Sequence, residues 1–312
     1  MTRFAFVLSS FDDFPVHQTS RPIAHTASSD INHYDRYFFN GYTRDTRLFF
    51  AAAMGLYPNR HVADAAFSVV VDGGTPGARQ ISVHASRRAP TDRSDANEVG
   101  PIRVEVLEPL HALRLVVEAP EQGVRADLTF VRRSAPIEEP HFHHEVGFRV
   151  LLDYTRLTQF GGWEGWIEID GETTDLGPGE TLGCRDRSWG VRPIGERAAT
   201  GAPVADPQYF WLWAPINFDT FSTHFDVNEL FDGTRWHETG FVAPVAGPDG
   251  PVPGQELAGR FVEENPAFRA IAPNITPGGR IASWSDAELG RAIREGIRPD
   301  GTVIGPPMPF MM

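Results

Sequence analysis

The segment Gly183-Cys184-Arg185-Asp186-Arg187-Ser188-Trp189-Gly190-Val191-Arg192-Pro193 brings a carboxylate, three guanidinium groups and an indole into one strand's length. Alternation along a strand puts Asp186, Ser188 and Gly190 on one face and Arg185, Arg187 and Trp189 on the other. Two arginines beside a tryptophan suit cation–π stacking and a polar network in a cavity better than an apolar core. A carboxyl at position 186 inside an apolar pocket would keep its proton and serve as a general acid. Arg156, Arg185 or Arg187 close to it would oppose that shift, and would instead hold a carboxylate or enolate of a ligand. The third arrangement is a buried ion-pair network with a purely structural role. In that case Asp186→Asn strands the arginines, and the neighbouring guanidinium groups lead us to expect a moderate loss of stability.

Two further clusters bear on the same chemistry. Asp30-Ile31-Asn32-His33-Tyr34-Asp35-Arg36-Tyr37 interleaves polar and aromatic groups. His33, Tyr34 and Arg36 join the site if they converge with Asp186; otherwise they form an amphipathic strand whose tyrosines bury their rings. His141-Phe142-His143-His144-Glu145 places His141, His143 and Glu145 on one strand face. A metal would need another ligand from elsewhere in the chain, so surface histidines and no metal are expected. Six of the seven tryptophans fall between Trp163 and Trp236. Trp163, Trp166, Trp189, Trp211 and Trp213 either make a broad core or wall an apolar pocket with Asp186, His224 and Asp226 as its polar groups. The pocket is favoured.

Composition narrows the partners. All 28 basic residues are arginine, which removes Schiff-base and P-loop lysines from consideration. A formal charge of −13 argues against nucleic acid or anionic lipid as the main partner. The single Cys184 forbids an internal disulfide and fits a reducing compartment. Neither a signal sequence nor a run of membrane-spanning length is evident, so the expectation is a cytoplasmic protein without a spanning segment. Oligomeric state is not legible.

The elements that must position these groups are strands. Phe67-Ser68-Val69-Val70-Val71 ahead of Asp72-Gly73-Gly74 reads as a strand entering a turn. Period-two alternation recurs over residues 80–86, 102–106, 113–117 and 126–131. Short, evenly spaced strands punctuated by Gly, Pro and Asp favour an antiparallel barrel or sandwich. Residues 136–140, bounded by prolines, read as a linker, and residues 197–206 as a loop. The expected division is a β domain over 1–136, a second over 141–245, and a separate segment over 246–312. In that last segment Ser285 and Glu288 form a capping box opening a helix that stops at Gly296.

Tyr154-x-Arg156, a strand ending in Asp170-Gly171, then Asp186-x-x-Trp189-Gly190 resembles the lipocalin-like family of hydroxyneurosporene synthases (carotenoid hydratases) and AttH-like proteins. The resemblance covers roughly residues 12–240 and is nearest to a bacterial branch of uncharacterised function. Where the family often has His after the Asp, this chain has Arg187. It implies an all-β fold of two lipocalin-like antiparallel domains and a hydrophobic small-molecule ligand such as an isoprenoid or polyketide. Any catalysis would be hydration, dehydration or cyclisation, with Asp186, Tyr154 and Arg156 as catalytic residues. A non-catalytic carrier of the same ligands is the alternative. Residues 261–310 resemble the middle of a c-type cytochrome domain, with Met308 at the axial-ligand position. A haem electron-transfer protein is therefore a third reading, but no Cys-x-x-Cys-His attachment signal is present and no haem or other cofactor is expected.

Overall fold

The computed structural model describes residues 20–194 except 23, 74, 94, 95 and 148, residues 210–246, and short stretches between 255 and 302. Packing groups the chain into two units. One holds residues 1–205, 215–223 and 243–254; the other holds residues 206–214, 224–242 and 255–312.

The first unit is built on antiparallel strands. They are β1 (His33–Thr43), β2 (Leu48–Tyr57), β3 (Val62–Val71), β4 (Arg79–Arg88), β5 (Glu98–Val99), β6 (Ile102–Glu108) and β7 (Ala112–Ala119). There follow β8 (Val124–Arg132), β9 (Ile137–Glu138), β10 (Phe142–Val146), β11 (Arg149–Ile169), β12 (Glu172–Leu176) and β13 (Thr181–Val191). The sheet runs in the order β4-β3-β2-β1-β13-β11-β8-β7-β6-β5, with β9, β10 and β12 paired to β11. It curls until its ends nearly meet: Ala85 of β4 lies against Gly100, whose positive φ of 58° carries the turn from β5 into β6. The alternating segments at 67–71, 80–86, 102–106, 113–117 and 126–131 all lie within these strands. The architecture is all-β, with a nearly closed antiparallel barrel sheet and a smaller second sheet.

The barrel core follows from the period-two pattern. Phe39, Phe50, Phe67, Phe130, Trp163 and Ile167 point inward and are fully buried. Trp163 stands at the centre, edge-on to Phe39, Phe50 and Phe130 at centroid distances of 5.8, 5.1 and 5.4 Å. Such pairs add about 0.5–1.5 kcal/mol each beyond area burial. Its indole N–H donates to the Asn40 carbonyl at 2.8 Å. Gly183 stands beside it because a Cβ there would strike the Asn40 carbonyl and the indole.

One long strand does two jobs. The first half of β11 pairs with β13, and its second half pairs with β8. Gly161 and Gly162 are shared by both ladders. β11 turns back into β12 through Asp170 and Gly171, both at positive φ, as a two-residue hairpin requires. The stretch 136–140 is not a free linker. β9 pairs with Leu157 and Thr158 of β11, and the following residue, Glu139, is buried.

A four-stranded sheet takes the order β14 (Phe210–Asn217), β15 (Phe221–Glu229), β16 (Arg235–Pro244) and β17 (Gln255–Glu256). Further on, the expected capping box is present: the Glu288 amide donates to Ser285 Oγ at 3.3 Å, and the Ser285 amide donates to Glu288 Oε2 at 2.8 Å. Most of the helix behind it, the loop at 197–206 and Met308 lie outside the described residues. Among the described residues no helix is long and apolar enough to cross a membrane.

Candidate functional site

The site is set by the register of three neighbouring strands. Asp186 of β13 lies opposite Phe38 of β1 and Thr158 of β11, while Ser188 lies opposite Arg36 and Arg156. Gly190 lies opposite Tyr34 and Tyr154. Directly opposed residues share a sheet face, so Asp186, Ser188, Tyr34, Arg36, Tyr154 and Arg156 are gathered on one. The other face of the same strands carries Arg185, Arg187, Trp189, His33, Asp35 and Trp163. It is the inner face of the barrel.

Asp186 is 3% exposed, and its Oδ1 has no hydrogen-bond partner among the described residues. Burial pushes its carboxyl above the usual range, against the pull of Arg156, Arg36 and Arg192. Among the described residues, none of those arginines forms an ion pair with it. Arg156 is instead held by Glu139, its Nε at 2.9 Å and its Nη2 at 2.6 Å from the two carboxylate oxygens. The Thr158 hydroxyl donates to the same carboxylate at 2.5 Å. The buried ion pair anticipated around Asp186 therefore exists, but its acid is Glu139.

Aromatic rings frame the carboxyl. Phe142 stacks on Tyr154 at 4.4 Å and lies beneath the Arg156 guanidinium at 4.5 Å. Tyr154 meets Tyr34 edge-on at 6.0 Å, and Arg192 covers the Tyr34 ring at 4.8 Å. The Tyr34 hydroxyl and Ser188 Oγ are buried without a hydrogen bond of good geometry. Burial also raises the Tyr34 phenol, so it remains a neutral donor. The Asp186 oxygen is thus orphaned, and the Tyr34 phenol and Ser188 hydroxyl lie beside each other on the same face. Buried groups of this kind are ordinarily satisfied, and each unsatisfied one costs about 1–3 kcal/mol.

The inner face carries a different arrangement. Arg185 is 3% exposed and donates through Nε to Gln159 Oε1 at 2.9 Å. Arg187 pairs with Asp35 and lies 3.9 Å above the Tyr37 ring. Arg93 approaches the other Asp35 oxygen at 3.7 Å. His33 opens this face at the strand end, its imidazole held below the ordinary value by burial and by Arg93. His33 therefore does not converge with Asp186, whereas Tyr34 and Arg36 do.

The tryptophans have different surroundings. Trp163 is sealed in the barrel core. Trp166 faces away from that core, with the Arg125 guanidinium 5.8 Å from its ring. Trp211 is 56% exposed and donates to Asp226 at 3.2 Å, and Trp213 meets His224 edge-on at 5.6 Å. These last residues belong to the second unit. The exposed histidines do find a third donor: His141 Nε2 lies 2.6 Å from Asp153 Oδ1, and His143 Nδ1 lies 3.6 Å from the same atom. His143 Nε2 also meets Glu145 at 3.1 Å. This group has donors for a cation, and they are already paired with one another.

Glu139 was missed in the sequence. A Glu-Glu pair between two prolines gives no sign of burial, and only the β9–β11 pairing brings it beside Arg156.

A single family model matches residues 8–312, nearly the whole chain. The chain belongs to DUF8625, a family of unknown function. The DUF8625 match takes in residues 261–310 and lends no support to the cytochrome likeness expected there. No curated protein matches the chain in sequence. Among solved structures, an AttH candidate from Nitrosomonas europaea is 14% identical with a TM-score of 0.48, over 78% of this chain and 73% of that one. Kievitone hydratase from Nectria haematococca is 14% identical with a TM-score of 0.44, over 76% and 71%. Similarity at this level carries no functional argument.

Proposed function

We propose that this protein binds an apolar small molecule, of isoprenoid or polyketide type, on the face shared by β1, β13 and β11, and that Asp186 acts on it as a general acid. The observation that carries the reading is the state of Asp186. It is a buried carboxyl with an orphaned oxygen and no ion pair among the described residues, while the adjacent Arg156 is neutralised by Glu139. Such a group is poised to donate a proton to an alkene carbon or a carbonyl oxygen. The carbocation formed would then take up water in a hydration or an internal double bond in a cyclisation. The proton released at the end returns to the Asp186 carboxylate, so the cycle balances. The fields of Arg156, Arg36 and Arg192 favour the carboxylate left after donation. The Tyr34 phenol and Ser188 hydroxyl supply the orienting hydrogen bonds, and the stacked rings of Tyr154 and Phe142 an apolar wall.

Calorimetric titration with a panel of isoprenoids and aromatic polyketides tests this. Saturable binding is expected, weakened about tenfold by Tyr34→Phe as one hydrogen bond is lost. Incubation in heavy water should place deuterium on the bound substrate with wild type and not with Asp186→Asn. Binding without deuterium transfer would identify a carrier, and no saturable binding would refute the proposal as a whole.

The same reading places the protein in the cytoplasm, supported by a buried free Cys184 whose thiol burial pushes up and keeps unreactive. It keeps the division at 1–136, 141–245 and 246–312, which limited proteolysis checks: cutting within 136–140 supports that boundary, and protection there favours the grouping by packing.

A further inference from the structure

We propose that the polar end of the barrel interior is a second binding site, one that takes the oxyanion headgroup of an amphipathic ligand against Arg185. The argument begins with charge. β13 sends two guanidinium groups into this end, those of Arg185 and Arg187, and Arg93 reaches it from outside the strand. The carboxylate of Asp35 lies between Arg187 and Arg93 and is engaged by both. Arg185 is thus left with no carboxylate partner among the described residues. His33 does not alter the balance, since burial favours its neutral form.

The surroundings of Arg185 make that lack costly. Its recorded hydrogen-bond partner is the neutral amide oxygen of Gln159, and it is buried beside Phe130, whose ring centre is 5.8 Å away. Gln159 is not free to turn away, because its amide nitrogen donates to the carbonyls of Leu110 at 2.8 Å and Ser134 at 3.2 Å. That pins Oε1 on one side of the guanidinium and leaves the remaining N–H groups available to a ligand. Burial lowers Arg185 to about 10, which still leaves it charged at neutral pH. A buried, charged guanidinium without a counter-charge is rare, because burying a charge is costly unless it is paired and hydrogen-bonded. A planar fork with free donors is also the geometry that carboxylate and phosphate groups match.

The packing sets the orientation of such a ligand. Below Arg185 the core is closed: Phe39, Trp163 and Phe130 are fully buried, with the indole in contact with both phenyl rings. On this proposal the ligand body extends the other way, along the face that carries Tyr37 and half-buried Trp189, towards the strand ends at His33 and Val191. The headgroup enters first and stops at Arg185, and Trp189 lies where it would sense the body. This face is the reverse of the one bearing Asp186, so the two sites stand or fall separately.

Decanoate, benzoate and inorganic phosphate serve as probes, read by tryptophan fluorescence and by melting temperature at fixed ionic strength. We expect saturable binding of at least one, with decanoate and benzoate leading if the headgroup is a carboxylate and phosphate leading if it is a phosphate. Arg185→Met should weaken that binding about tenfold or more, the loss of one charge-assisted contact, and should melt no lower than wild type in anion-free buffer. Arg79→Gln, on the exposed edge of the sheet, should leave binding unchanged. Equal weakening by both substitutions, or no saturable binding by wild type, overturns the proposal. Should Arg185→Met fail to fold, Arg185→Lys decides it: it keeps the charge without the fork, so binding weakened about tenfold or more supports the proposal, and binding equal to wild type overturns it.

Discussion

At the scale of single residues, the chain separates two carboxyls that composition alone would treat alike. Glu139 is clamped by Arg156 and Thr158, whereas Asp186 is buried with no cation in contact among the described residues. The pair at Glu139 is the structural one, and it frees Asp186 from that duty. Glu139→Ala should leave the buried Arg156 without its counter-charge and cost about 3–5 kcal/mol, read as a fall in the denaturation midpoint with the slope unchanged. A loss within the range of ordinary surface substitutions would show that Arg156 is satisfied in some other way. The opposite facing of Asp186 and Arg185 was legible in the sequence, because period-two alternation leaves no freedom once 181–191 is a strand. The identity of Arg156's partner was not, because pairing between positions 17 residues apart depends on register and not on spacing.

At the scale of elements, β13 is the organising strand. It lies between β1 and β11, so every candidate residue on either face is placed by those two ladders. Gly190 is its critical backbone position. Its φ of 137° suits few residues with a side chain, and a Cβ there would meet the Asp153 carbonyl and Tyr154. Gly190→Ala should therefore cost about 1–3 kcal/mol from backbone strain, with more from the clash. It should also raise amide hydrogen exchange along the β11–β13 ladder around Tyr154 while leaving β6 and β7 protected. Exchange unchanged at Tyr154 would mean that the ladder tolerates the side chain. The strands themselves were legible from alternation and turn residues. That β11 runs unbroken from Arg149 to Ile169 was not, since glycines weaken a strand and the two partner ladders hold Gly161 and Gly162 within it. The prolines around 136–140 mark turns without revealing that Ile137 and Glu138 between them pair with β11.

At the scale of the whole molecule, a chain of net charge −13 keeps a buried guanidinium on one face of its sheet and, on the other, a carboxyl whose pKa burial raises. The aromatic clustering between Trp163 and Trp236 was legible as composition. Its meaning was not, because Trp163 fills a core, Trp166 lies on its outer side and Trp211 is largely exposed. The central claim is that Asp186 stays protonated where exposed aspartates ionise, and global stability against pH reads this directly. A carboxyl whose folded value lies above its unfolded one binds its proton more tightly in the native state. Its contribution to stability is therefore present at acid pH and is lost as pH rises from about 3.8 through the folded value. The amide introduced by Asp186→Asn has no such proton to lose. Thermal melts of wild type and Asp186→Asn from acid to neutral pH should converge at the acid end, with the variant equal to or above wild type at neutral pH. The moderate loss that the flanking arginines suggest in sequence is not expected, because Arg156 already has Glu139. A variant that melts far below wild type at neutral pH would contradict the account, and would make Asp186 the anionic anchor of its arginines.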